Sequence, residues 1–277
     1  MNSIKLPDDL ITTTQEVEIF DYFTAKEITK QQVILNRSTF SFLIEGTKEV
    51  FFDNSKVTID NTKFILMKTG HCLMTESLST TQTYRSILLF ISDETITNFI
   101  LKNNIKQSNT LSNNSLYTFE KDDFITRFTM SLMDINNLHP SIKTKLLQVK
   151  LEEILLYLMG IYGSDFIISL MTNHNDHTQK FMRTIESNLL NKLTLTELAF
   201  LCGMSLSTFK REFQKHYSQS PIKWFQNKRL EYANRLLQQN NKTASDIYFD
   251  IGYDNLSSFI QAYKAKYGVT PKQHNKI

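Results

Sequence analysis

Cysteine is nearly missing from this 277-residue chain, which holds only Cys72 and Cys202. They fall in different regions, so no disulfide framework is expected and both read as small buried hydrophobes. No apolar run approaches the ~18–20 residues of a membrane span. The opening MNSIKLPDDL has neither the basic start nor the apolar stretch of a signal peptide, and a cytoplasmic location is expected. Catalytic motifs are missing too: there is no Gly-rich phosphate loop and no nucleophile elbow. Of six histidines only His71 falls among candidate strands, without a histidine companion. His174-x-x-His177 lacks the cysteine or carboxylate spacing of a metal site. His71 and Cys72 are adjacent on a strand, so they point to opposite faces and share no pocket. No metal, no cofactor and no enzymatic activity are expected.

A charge of one sign is also lacking overall, but the net of +3 hides a division. Residues 178–277 hold 15 Lys/Arg against 7 Asp/Glu, while residues 1–177 hold 16 against 21. A basic third joined to an acidic remainder fits a nucleic-acid-binding domain attached to another module.

The basic third contains a repeat. Phe209, Phe213, Tyr217 and Pro221 recur fifty residues on as Phe259, Tyr263, Tyr267 and Pro271. Gly203 and Gly252 stand five residues after Leu198 and Ile247. A repeat of this period marks a duplicated supersecondary unit, and each copy reads as helix, Gly-containing turn, second helix. In the first, Thr194 and Glu197 form a capping-box pattern, and Ser205 or Ser207 starts the second helix. Phe209, Phe213 and Tyr217 at i, i+4, i+8 face inward. Ser207, Thr208, Lys210 and Arg211 therefore face out as candidates for base contact. Arg211 ranks first, because a guanidinium grips guanine O6 and N7 bidentately. In the second unit Asn255, Leu256, Ser257, Ser258 and Gln261 are the equivalents, Gln261 being suited to adenine. Thr194, Gln214, Lys215, Thr243, Lys264 and Lys266 are candidates for phosphate. Pro221 opens a connecting helix of roughly 19 residues, about 28 Å, near the ~34 Å between successive major grooves on one side of DNA. Lys223, Lys228, Arg229 and Arg235 on it read as solvated or interdomain charges.

The fold class expected is α+β. Residues 1–170 form a sensor and dimerisation domain: a small β-barrel or sandwich over about 12–92, then helices over about 121–160. Residues 171–178 are the linker. Residues 179–277 are an all-α DNA-binding domain, with helix-turn-helix units at about 194–217 and 243–267 joined by a helix at about 221–239. Phe40, Phe42 and Ile44 alternate with polar residues, and FILM at 64–67 and ILLFI at 87–91 are short apolar runs. The interior of such a barrel, of Phe, Ile, Leu and Met, suits an apolar small ligand or simply a filled core. Residues 103–118, rich in Asn and Ser, read as a loop. The helix from about 141 is apolar nearly all round in its second half. Ile142, Leu146, Val149, Ile154 and Leu158 serve either an intradomain core or a homodimer interface.

At MSLSTFKREF, PIKWFQNKRLEYANRLL and DIGYDNLSSFIQAYKAKYGVTP the chain resembles the AraC/XylS family of bacterial transcription regulators. The resemblance covers roughly residues 178–274. It implies two recognition helices in adjacent major grooves, with Ser207, Lys210 and Arg211 in one and Leu256, Ser257 and Gln261 in the other. It also implies double-stranded DNA and RNA polymerase as partners. The family usually has Arg at Gln261, a small residue at Tyr248 and Gly at Ser218. FSFLIEGTKEVFF is similar to the family's sensor barrels, and the N-terminal half resembles the ExsA-type subgroup, whose effector is a partner protein. The function expected is a transcription regulator, an activator, controlled through residues 1–170. A scaffold whose helix-turn-helix units bind protein, and a barrel enzyme fused to a DNA-binding tail, are the competing readings.

Overall fold

The computed structural model describes residues 3–12, 15–53, 55–106, 114–171, 177–239 and 242–274. The chain divides into two compact units, residues 1–180 and 181–277. Most of the expected linker, and His174 with it, lies outside the described residues.

The first unit is mixed α+β. One sheet takes β1 (Ile4–Leu6), β3 (Ile28–Leu35), β8 (Gly70–Ser77), β5 (Thr47–Phe51) and β6 (Lys56–Ile59), in that spatial order. The other takes β10 (Leu116–Glu120), β7 (Lys63–Met67), β4 (Ser38–Glu45), β9 (Tyr84–Ile91) and β2 (Val17–Thr24). Among the described residues the sheets do not share a hydrogen-bonded strand pair, so the architecture is a sandwich rather than a closed barrel. All pairings are antiparallel except that of β1 with β3. β10 corrects the expected loop at 103–118: Leu116 pairs with Met67 and Phe119 with Phe64, and both apolar side chains are buried.

Helices cover the outer face of the second sheet: α1 (Asp93–Lys102), α2 (Asp123–Asn136), α3 (Pro140–Tyr162) and α4 (Ser164–Ser169). This makes three layers and two cores. Phe40, Phe42, Phe64, Leu66, Ile87 and Leu89 point to the helices and pack with Phe128, Leu132, Leu151 and Leu155. Leu43, Ile65, Met67, Leu88 and Phe90, one residue out of phase, point to the other sheet and meet Val33, Val50, Cys72 and Met74. Period-two alternation sends neighbours to opposite faces, and here both faces are dry.

Two expectations change with this arrangement. The aromatic positions 40 and 42 lie under the helices, so the space between the sheets is not simply Phe, Ile, Leu and Met. It holds a buried ion pair, Lys48 Nζ to Glu76 Oε1 at 3.5 Å, with Ser41 Oγ 3.3 Å from the same nitrogen. Second, Ile154 and Leu158, expected as dimerisation candidates, are buried in the helix-side core, and Leu146 packs partly against it. Ile154 lies three residues after Leu151 and Leu158 four after Ile154, which puts them with Leu147 and Leu151 on the inner face of α3. Ile142 and Val149 stay exposed. Both cysteines are free; burial pushes the Cys72 thiol up to about 12. No helix among the described residues is long and apolar enough to cross a membrane.

The second unit is all helical: α5 (His177–Ser187), α6 (Leu195–Leu201), α7 (Leu206–Tyr217), α8 (Pro221–Gln239), α9 (Ala244–Ile247), α10 (Leu256–Tyr267) and α11 (Pro271–His274). It has two small cores, one around Phe181, Phe209, Phe213 and Trp224, the other around Leu230, Ile247, Phe259 and Tyr263. α8 contributes its first half to one and its second half to the other.

Candidate nucleic-acid interface

Local chemistry fixes where each candidate reading helix begins. The Thr194 hydroxyl accepts from Glu197 N at 3.2 Å while Thr194 N donates to the Glu197 carboxylate at 2.7 Å, a reciprocal cap that starts α6. Gly203 turns the chain at φ +67°, a left-handed value that costs glycine least. Ser205 then caps α7 by accepting from Thr208 N at 3.2 Å. The second unit repeats the plan. Thr243 N donates to Asp246 at 2.8 Å, Gly252 turns at φ +92°, and Asn255 caps α10 by accepting from Ser258 N at 2.8 Å.

The inner faces are built of rings. Phe209 and Phe213 lie 5.8 Å apart, centroid to centroid, and Phe213 meets Trp224 edge-on at 5.6 Å. Phe259 and Tyr263 repeat the first pair at 5.7 Å. The Tyr263 hydroxyl donates to Asn234 at 2.7 Å, and the Tyr267 hydroxyl donates to Leu230 O at 3.3 Å.

With those faces buried, Ser207, Lys210, Arg211, Gln214 and Lys215 are exposed on α7, and Ser257, Ser258, Gln261 and Lys264 on α10. Asn255 is exposed, though its amide oxygen is engaged in the cap. Thr208 is half-buried and accepts from the Ser205 hydroxyl. Leu256 is half-buried against the second core. Thr194 and Thr243 are exposed at their helix N-termini. Lys266 departs from the expected phosphate role: its ammonium donates to Asn227 O at 2.7 Å and pairs with Glu231 at 3.1 Å, folding back on α8.

Sequence reasoning missed Arg229, which it classed with the solvated or interdomain charges. Its Nε donates to Leu189 O at 2.9 Å, Nη2 to Asn191 O at 3.0 Å and Nη1 to Gly252 O at 3.4 Å. One guanidinium thus ties the segment after α5 to the turn of the second unit. Burial lowers its pKa from the ordinary value, though an arginine stays charged in water-accessible proteins. The available signal was spacing: Arg229 sits four residues from both Phe225 and Ala233, which are buried. Among the described residues no cluster of His, Cys, Asp and Glu is arranged to hold a metal.

Two capped helix-turn-helix units on one connecting helix, following in the chain a sandwich with its own helical layer, define a protein of the double helix-turn-helix class. The description "ExsA N-terminal regulatory domain" matches residues 38–170, and "Helix-turn-helix domain" matches residues 184–276. The virulence regulon transcriptional activator VirF of Yersinia enterocolitica is 33% identical over 135 residues, 48% of this chain and 49% of that protein. The HTH-type transcriptional regulator ExsA of Pseudomonas aeruginosa is 31% identical over 126 residues, 45% of each. The chain thus spans about half the length of the curated relatives it matches. A crystal structure of an apo ToxT variant from Vibrio cholerae aligns over 95% of this chain and 98% of its own, at 12% identity and a TM-score of 0.46. The chain belongs to the AraC/XylS family of transcription regulators.

Proposed function

We propose that the chain is a sequence-specific DNA-binding transcription regulator, an activator, that reads two adjacent major grooves with the N-terminal halves of α7 and α10. The observation carrying this reading is the repeated exposure of polar side chains beside a capped helix start. Ser207, Lys210 and Arg211 stand clear of one core, and Ser257 and Gln261 clear of the other. Arg229 ties the segment before the first helix-turn-helix to the turn of the second, which suits simultaneous engagement of both grooves. Lys215 and Lys264 supply phosphate contacts. RNA polymerase is the partner through which activation proceeds, and the chain works in the cytoplasm as a homodimer assembled through its first unit.

Control passes through the first unit, and cavity size bears on what exerts it. The opening between the sheets, lined by Leu6, Val33, Met74, Leu88, Lys48 and Glu76, has a volume of about 60 Å³. That is well below the ~150 Å³ of a cavity that takes up benzene. A regulatory protein is therefore favoured over an apolar small ligand.

Footprinting on candidate promoter DNA, with affinities compared against random DNA at fixed salt, tests the reading. Arg211→Ala is expected to cost about 1–3 kcal/mol at the specific site and little at random DNA. A wild-type chain with no preference for any sequence, or a footprint confined to one groove, overturns it.

A further inference from the structure

The two helix-turn-helix copies share α8 but not a core. Trp224 and Phe225 on its first half belong to one apolar cluster, and Leu230, Ala233 and Leu237 on its second half to another. A helix has a fixed rise per residue, so α8 sets how far apart α7 and α10 lie along its axis. It does not by itself set their roll about that axis. On one flank packing does not set it either. An open cleft of about 430 Å³ lies between the copies there, with Leu193, Ile222, Phe225, Arg229 and Tyr253 in its lining.

Arg229 and Lys192 bridge this junction. Arg229, at the middle of α8, carries its guanidinium over the Phe225 ring, 5.9 Å from the centroid. From there it donates to the carbonyls of Leu189 and Asn191, on the segment leading to α6, and to that of Gly252 in the second turn. Lys192, from the same segment, reaches the second turn independently. Its ammonium lies 3.1 Å from the Asp254 carboxylate and 3.6 Å from the centre of the exposed Phe249 ring. The segment is itself pinned: the buried Asn188 amide donates to Thr184 O at 2.8 Å and accepts from the Asn191 amide at 2.9 Å. Asp254 directly precedes Asn255, the cap of α10. The bridge therefore ends at the start of the second reading helix.

We propose that Arg229, with Lys192 as a second strut, is a positioning residue that makes the chain selective for the spacing of its two half-sites. This rests on the DNA-reading function above and goes beyond base identity, to the helical phase at which the two half-sites stand. One added base pair moves the second half-site by ~3.4 Å and turns it by about 35° around the duplex. Hydrogen bonds to base edges tolerate shifts of only a few tenths of an ångström. With the roll locked, the second reading helix cannot follow, and its base contacts are lost together. With Arg229 truncated, the copies can roll on α8 and part of those contacts returns. Arg229 weighs more than Lys192, because its hydrogen bonds are charge-assisted and half-buried while the Lys192–Asp254 pair is exposed to water.

The test selects binding sites from a random duplex pool with the purified full chain and reads the distance between the two enriched half-sites. Far-UV circular dichroism checks that each variant is folded. Wild type is expected to enrich a single spacing. Arg229→Ala should enrich the same half-sites at that spacing and at one base pair more or less. On individual duplexes the one-base-pair insertion should cost wild type about tenfold or more in affinity, the loss of at least one bidentate base contact, and Arg229→Ala about threefold or less. A folding defect alone lowers the active fraction equally on both duplexes and leaves their ratio unchanged. Arg229→Lys, which keeps a charged donor, should recover part of the wild-type ratio. Lys192→Ala, at an exposed site, should relax the ratio in the same direction by a smaller factor, and it carries the test if Arg229→Ala does not fold. An unchanged ratio in folded Arg229→Ala, or in Lys192→Ala where only that variant folds, overturns the proposal. A wild type that binds specifically yet accepts every spacing alike overturns it too, while the DNA-reading function stands. A wild type with no sequence preference overturns both.

Discussion

Replacing Gly252 with alanine tests whether Arg229 locks the second unit. In the second helix-turn-helix, Gly252 at φ +92° and Gly268 at φ +76° both have left-handed backbone. An alanine at either pays the left-handed penalty, about 1–2 kcal/mol. Their surroundings differ. At Gly268 a new methyl meets nothing within 4 Å, whereas at Gly252 it would stand 2.9 Å from Cζ and Nη1 of Arg229. A guanidinium on a flexible stem normally swings aside cheaply. This one is held at 2.9 and 3.0 Å by the carbonyls of Leu189 and Asn191, and loosely by that of Gly252. Moving it forfeits two good charge-assisted hydrogen bonds. Each is worth about 1.5–3 kcal/mol at full strength and less at a half-exposed site. Gly252→Ala should therefore cost about 2–4 kcal/mol more than Gly268→Ala. Arg229→Ala alone should cost a similar 2–4 kcal/mol. With Arg229 already truncated, Gly252→Ala should fall back to about 1–2 kcal/mol, leaving a coupling energy of about 2–4 kcal/mol. Trp224, the chain's single tryptophan, is buried in the second unit, so its fluorescence during urea unfolding of the full chain reports on that unit. Equal costs for the two glycine substitutions, or additivity within about 0.5 kcal/mol, would refute the argument.

Further outcomes are expected. Ser218 ends α7 at φ +54°, where its repeat partner Gly268 ends α10; Ser218→Gly should raise the urea midpoint of the second unit by the equivalent of about 1 kcal/mol, and a lower midpoint would contradict it. Lys264→Ala should reduce the slope of log affinity against log salt by about 0.9, while Lys266→Ala should leave that slope unchanged because its ammonium is turned to Glu231. Burial holds the ammonium groups of Lys121 and Lys68 down at about 8. The folded chain then binds fewer protons than the unfolded chain between about pH 8 and 10, so stability of the first unit should rise with pH across that window. Above it the buried Tyr84, whose ionisation is raised by burial, reverses the sign. Lys121→Met should flatten the rise in denaturant midpoint followed by circular dichroism, and a wild-type midpoint that falls from pH 8 to 10 would contradict the account.

How much was legible in the sequence differs between the units. In the second, the fifty-residue repeat identified both inner faces, because rings at i, i+4, i+8 define a helix side without tertiary information. The cap at Thr194 was legible for the same reason, its partner lying within three residues, while Ser205 and Ser207 both offered a hydroxyl and only Ser205 caps α7. Arg229 was not, since its acceptors are main-chain carbonyls 40, 38 and 23 residues away. In the first unit the alternation at Phe40 and Phe42 was readable but its direction was not. A pattern of period two says that two faces differ, and only the later helices decide which face meets which layer. β10 was hidden because its pairing strand, β7, lies some fifty residues earlier, and a polar run leads into it. On α3 two apolar faces overlap in sequence, so core residues such as Ile154 could not be told from exposed ones such as Val149 until the core was seen.

The double coverage of β4 has a consequence for how this chain tolerates change. Every residue from Ser38 to Leu43 is buried, alternate ones serving different layers. Strands at a protein surface accept polar replacements at every second position. A saturation library across β4 should show no such rhythm: consecutive positions should all be restrictive, Phe40 and Phe42 demanding bulk and Thr39 and Ser41 demanding small or polar fits near Lys48.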